Sequence, residues 1–184
     1  YRYWPANYYG IGNQTSDSAS AYTTQYVKVS SNYSRALSQN FWIGATHQFH
    51  YNQIDWKDPL PHRFAEDLGL QGNRLSGLGL ILTFDKRDNP NAPTKGLYLN
   101  QRLIQFAKET GSDFSYTELE WDARIFQSLA DYTLALGAQL KSQYGDVPLL
   151  HLSSQDGTKR FRGIEKGRYR DKNLLSLQSE IRTP

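Results

Sequence analysis

The residues of this chain best suited to chemistry fall into two groups. The first is the run KRFRGIEKGRYR, residues 159–170, with six Lys or Arg in twelve positions. Guanidinium groups bind phosphate or carboxylate through paired hydrogen bonds. The run can be a solvated cationic loop, a nucleic-acid or lipid-phosphate patch, or a loop that folds back and sets an arginine on buried acids. The second group is Glu118, Glu120 and Asp122. Their spacing of two puts three carboxylates on one face of a strand. They could hold a hard cation or serve as an acid and base. The plainer reading, which we prefer, is a charge ladder inside a barrel, balanced by Arg102, Arg124, Lys141 and Arg182. His47 and His50 are three apart, so on a strand they point to opposite faces and make a poor metal pair. They, His62 and His151 read as polar wall or interfacial residues. The text YGIGN at 9–13 lacks the strand-to-helix context of a nucleotide loop, and no nucleophile elbow is present. No metal or cofactor site is expected.

The elements that would carry these groups are strands. Period-two alternation predicts seven, over about 21–33, 40–52, 75–85, 96–106, 113–126, 131–141 and 173–182. Leu78, Leu80 and Leu82 oppose Gly77, Gly79 and Thr83. Leu97, Leu99 and Leu103 oppose Tyr98, Asn100 and Arg102. Leu119, Trp121 and Ile125 oppose the acidic row. Leu134 and Leu136 oppose Thr133 and Gly137, and Leu175 and Leu177 oppose Ser176 and Gln178. The aliphatic members are expected to face lipid. Such strands are about 10 to 13 residues long, whereas a soluble strand averages about 5 to 6 and a tilted bilayer crossing needs about 9 to 11. Their links alternate in length, with short turns at SRALSQ and QSLA and long loops over 53–74 and 142–172. Outer-membrane barrels alternate in this way, short turns inside and long loops outside. That parity makes KRDNPNAPTK periplasmic and the arginine-rich loop extracellular. The link near Lys108 to Ser112 falls on the outer side yet is short.

Composition narrows the class. The chain has 184 residues, no Cys and no Met. Disulfide scaffolds and thiolate metal sites are excluded. A mean hydropathy of −0.69, without a long apolar run, excludes a transmembrane helix. It does not exclude a barrel, whose inward residues are polar. A net charge of +3 is too small to imply nucleic acid. With Tyr1 at its start and no signal peptide, the chain reads as a fragment of a longer protein.

Two segments carry a family resemblance. Phe161, Arg162 and Gly163 resemble the arginine-glycine-aromatic motif in the sixth outer loop of the BamA/TamA family, the bacterial surface-antigen superfamily. Ile164 stands where an aromatic is usual. The segment GLGLILTFDKRDNPNAPTKGLYL resembles the family's mid-barrel signature, here Asp85, Arg87, Asp88, Pro93 and Gly96. YWPANYYGIGNQT is similar to a loop of some members. The resemblance implies an antiparallel up-and-down transmembrane barrel of sixteen strands in the bacterial outer membrane. Residues 1–184 would then be a partial barrel, about the fifth to twelfth strands, with Tyr1 to Trp4 closing the fifth. It implies a non-enzymatic role in inserting other barrels or translocating polypeptides. The implied partners are outer-membrane lipid and lipopolysaccharide, unfolded barrel clients, and periplasmic domains or lipoproteins. It also implies that the outer loop enters the lumen and that Arg162 docks on acids there. Glu118, Glu120, Asp122 and Glu180 are the local candidates, Glu180 the nearest. Asp85, Arg87 and Asp88 are expected to organise the turn into the fourth strand. The alternatives are an anchor barrel for a patatin-like lipase or metallophosphatase, a passive porin, and a soluble sandwich that the strand lengths disfavour.

Overall fold

In a computed structural model the described residues are 3–15, 19–57, 69–155 and 163–183. Ten strands are present: β1 (Tyr3–Tyr8), β2 (Ser20–Ser38), β3 (Phe41–Trp56), β4 (Gly72–Asp85), β5 (Gly96–Phe106), β6 (Tyr116–Leu129), β7 (Tyr132–Gly145), β8 (Ser153–Ser154), β9 (Arg170–Asp171) and β10 (Asn173–Arg182). Eight form one antiparallel sheet in the order β1-β2-β3-β4-β5-β6-β7-β10. β8 and β9 pair only with each other. The sheet is an all-β meander that does not close on itself, the architecture of part of a barrel.

Alternation explains the two faces. Seven of the expected lipid-facing residues, Leu78, Leu80, Trp121, Ile125, Leu136, Leu175 and Leu177, are exposed. Leu82, Leu119 and Leu134 share that outward face and are half-buried. His47 points outward and His50 inward, as the spacing requires. The inward face is strongly curved. Asn52 on β3 and Gln143 on β7 both contact His151. Those strands are four spacings apart, about 19 Å on a flat sheet.

Three strand boundaries and two turns differ from the sequence reading. Tyr3–Tyr8 is a strand in its own right, paired with β2 from Tyr3↔Gln25 to Tyr8↔Ser20. β2 and β3 run on past the apolar band at their outer ends, because backbone pairing continues where both faces are polar. β6 begins at Tyr116, since 113–115 belong to the preceding link. The segments SRALS and QSL are strand, so their hairpins turn in two residues, at Gln39–Asn40 and Ala130–Asp131. Ala130 takes φ +54 to make its turn, a conformation usually left to glycine or asparagine. A register slip between Ala36 and Ser38 marks a bulge at Leu37.

The short outer link 107–115 has a structural task. β5 pairs with β4 only from Gly77 onward, which would orphan the edge of β4 from Gly72 to Ser76. The link supplies the missing partners. Ser76 N–H donates to Ser112 Oγ at 2.7 Å, and the Ser112 hydroxyl donates back to Ser76 O at 2.8 Å. Arg74 N–H donates to Asp113 Oδ2 at 2.6 Å, and Asp113 N–H to Arg74 O at 2.8 Å. A buried edge left without these bonds would be costly.

Candidate functional site

The outer half of the inward face is apolar, although the strands leading to it are polar. Ile54, Leu75, Ile104, Phe106 and Tyr116 line it, joined by Tyr8 and Tyr22. Gly77 and Gly79 make room for the two largest of these. A Cβ at Gly77 would come within 2.7 Å of the Phe106 ring, and one at Gly79 within 2.2 Å of Leu103 O. With no side chain there, Ile104 and Phe106 pack over β4. Phe106 then stacks on Tyr116, with ring centres 4.5 Å apart.

Into this socket falls the first limb of the long outer loop. Val147, Leu149 and Leu152 join the same cluster, and Leu149 is fully buried. A 3-10 turn at Leu149–His151 presents them. Each such side chain contributes about 1.5–3 kcal/mol when fully buried.

Polar contacts hold the seated limb in register. Gln143 is nearly fully buried. Its amide donates to His151 O at 2.9 Å and to Glu118 Oε2 at 3.0 Å, and its oxygen accepts Ser153 N–H at 3.0 Å. The second limb is held by Arg170, also buried. Its guanidinium donates to the Tyr22 hydroxyl, Leu150 O and Gly167 O at 3.2–3.3 Å. Gly12 N–H donates to Arg170 O at 2.7 Å, tying in the loop after β1. Tyr9 donates to Glu165, and the Arg168 guanidinium lies 4.6 Å from the Tyr9 ring centre.

The charge ladder lies toward the periplasm. Glu120 accepts from Gln139 at 2.6 Å and pairs with Lys141 at 3.6 Å and Arg102 at 3.8 Å. Asp122 takes both oxygens to Arg124, and Glu180 takes Arg182 at 2.8 Å. Glu118 is held by Gln143. Each of the four expected acids therefore has a partner on its own or a neighbouring strand. Phe161 and Arg162 lie outside the described residues. Gly163 is exposed, with φ +103.

The periplasmic turn 86–95 is organised around two carboxylates. Asp85 forms a bidentate pair with Arg87 at 2.8 and 2.6 Å, and Arg87 stacks over Tyr98 at 4.5 Å. That pairing holds the Arg87 guanidinium above its ordinary pKa. Asp88 accepts from the Thr94 hydroxyl and from the Thr94 and Lys95 N–H groups. Gly96, at φ +114, lets the chain pass over Lys86 O, where a Cβ would lie only 2.2 Å away. Pro93 is buried, and its carbonyl accepts from Arg182 on β10 at 3.3 Å. The turn therefore reaches past β6 and β7 to β10.

The hydrogen bond from the Thr94 hydroxyl, followed by those from the backbone, holds the Asp88 carboxyl at about 2, below its usual 3.8. Its support of the turn is complete above about 3.8 and is lost as pH falls through about 2. A carboxyl-carbon NMR titration should find that low midpoint. A midpoint near 3.8 would show that Thr94 and Lys95 do not bind it.

Sequence reasoning missed Asn52, Gln143, Leu149 and Arg170. One signal was available. Ile104 and Phe106 continue the inward row of Tyr98, Asn100 and Arg102 with apolar residues, beside the two small positions Gly77 and Gly79. An apolar patch on a lumenal face needs a cover.

A meander of long antiparallel strands, apolar outside and charged within, defines a transmembrane barrel wall. The chain matches the Omp85 superfamily domain over residues 3–180 and belongs to that superfamily, as the resemblance to BamA/TamA proteins implied. Membership places it generally with bacterial outer-membrane proteins that insert or translocate polypeptides. No curated protein matches the chain.

Proposed function

We propose that this chain is the fifth-to-twelfth-strand sector of a BamA/TamA-type barrel that inserts other barrels into the outer membrane or passes polypeptides across it. The observation that carries the reading is the Omp85 match over residues 3–180. The seated outer loop supports it against a passive pore, because it covers inward surface that a porin leaves to water. The work is mechanical and non-enzymatic. Its partners are unfolded barrel clients, periplasmic domains or lipoproteins, and the lipid and lipopolysaccharide around the wall. Depleting the full-length protein in its source bacterium should lower either the amount of folded barrels in the outer membrane or the yield of a translocated polypeptide. If neither falls, while an attached hydrolase loses its surface exposure, the anchor reading replaces this one.

In this proposal Arg162 is a second pin of the loop, held by lumenal carboxylates. Of the local acids Glu180 has the most free surface, with half its side chain exposed. Arg162→Ala should speed protease cleavage of the loop in the intact barrel. Arg162→Lys should only partly restore resistance, since lysine lacks the planar fork. Equal cleavage of wild type and Arg162→Ala would remove this role.

A further inference from the structure

One buried pair of titratable groups has no part in the reading above, and the inference drawn from it holds whichever polypeptide the barrel handles. His50 projects inward from β3, and His151 ends the 3-10 turn of the seated limb. Their ring centres are 5.3 Å apart and their planes are tilted by 33°. One imidazole belongs to the wall and the other to the loop.

Hydrogen bonding fixes the charge state of His151. The Asn52 amide nitrogen lies 3.2 Å from His151 Nε2. The Asn52 oxygen cannot exchange places with that nitrogen, because it already accepts the backbone N–H of Asn73 at 2.7 Å. Asn52 therefore offers an N–H donor, and His151 Nε2 must be an unprotonated acceptor. A proton on that nitrogen would set donor against donor. His50 Nε2 is buried and has no hydrogen-bond partner among the described residues. The Phe106 ring lies edge-on to His50 at 6.3 Å.

The surrounding charges disfavour protonation as well. Lys28 on β2 is paired in register with His50. Arg170 from the second limb adds another cation near His151. Beyond them, Arg102 on β5 and Lys141 on β7 accompany Glu118 and Glu120 on β6. Glu120 is paired with Arg102 and Lys141, and Glu118 is bound by Gln143. Tyr116 on β6 closes the apolar side.

We propose that His50 and His151 form an acid-operated latch: protonation of the pair expels segment 146–155 from its socket and uncovers the outer part of the inward face. Burial, followed by the charges of His50, Lys28 and Arg170, pushes His151 from the usual 6.5 down to about 3. Seating is therefore strongest above about 6.5 and weakens as pH falls toward 3, up to about tenfold per pH unit for this one residue. By pH 4.5 that amounts to about a hundredfold.

The test uses the full-length protein in outer-membrane vesicles with Ser153→Cys as reporter. Ser153 is small and buried in the seated limb. The thiol is pulsed with 4,4′-dithiodipyridine, which reacts at acid pH, and its rate is divided by that of a free thiol at the same pH. Normalised reactivity should rise about a hundredfold from pH 7.5 to 4.5 and reverse on return. His50→Gln with His151→Gln should flatten the response. His50→Leu, which keeps the contact with Phe106, should shrink it. A wild-type response that is flat with pH would overturn the latch. So would an undiminished rise in either the double variant or His50→Leu.

Discussion

Leu149→Ala should free the seated limb of the outer loop while leaving the barrel wall folded. Leu149 is fully buried among Ile54, Leu75, Ile104 and Phe106. Truncating a buried leucine costs about 2–5 kcal/mol, because surrounding atoms only partly refill the space. Here the loss has a ceiling. Once it exceeds the free energy that seats the limb, the limb leaves and the wall bears no further cost. The wall keeps its own ladder, such as the fourteen register pairs between β6 and β7. Protease added outside intact vesicles should therefore cut the variant loop faster, with an unchanged heat-modifiable shift of the barrel on a gel. Equal cutting rates would show that the polar clamps alone hold the limb.

Leu136→Arg should destabilise the wall itself, by about 2–4 kcal/mol, if the outward band marks the bilayer core. Leu136 sits between Leu134, Ala138 and Leu140 on the outward face of β7. With Ala123, Ile125 and Leu177 it lines a shallow outward groove of about 410 Å³. A guanidinium there has only hydrocarbon around it, and snorkelling is hardest at mid-depth. Gln178→Ser on β10 inverts the comparison, because its side chain faces inward and should change stability by less than about 0.5 kcal/mol. Urea unfolding from phospholipid vesicles measures both. Equal losses would mean that the two faces have been exchanged.

The strands were legible where one face is apolar and the other polar without interruption. The segments 96–106 and 173–182 match β5 and β10 to the residue. The signal faded where both faces are polar, as on β3 beyond Asn52, where Gln53 and Asp55 continue the ladder. Backbone pairing persists there although hydrophobic contrast is gone. The acidic row was legible as a ladder, and its spacing of two was enough. The socket was not, because period-two reading assigns Ile104 and Phe106 no partner and the loop that covers them has no period. The clamps were hidden for a different reason. Asn52 and His151 lie 99 positions apart, and a lone inward amide looks like any other wall residue. Only a folded chain brings such pairs together.

The two inward contacts of this wall also have a mechanical meaning. His151 connects β3 to β7 near the outer rim, and Arg182 connects the turn before β5 to β10 near the inner rim. Each runs like a chord across an arc, and the two chords overlap at β5, β6 and β7. An arc tied by chords resists both flattening and tighter curling. A barrel built with this sector would deform unevenly, with changes of girth forced onto strands that no chord spans. Acid, by loosening the outer chord, would soften the upper rim first and leave the lower one stiff.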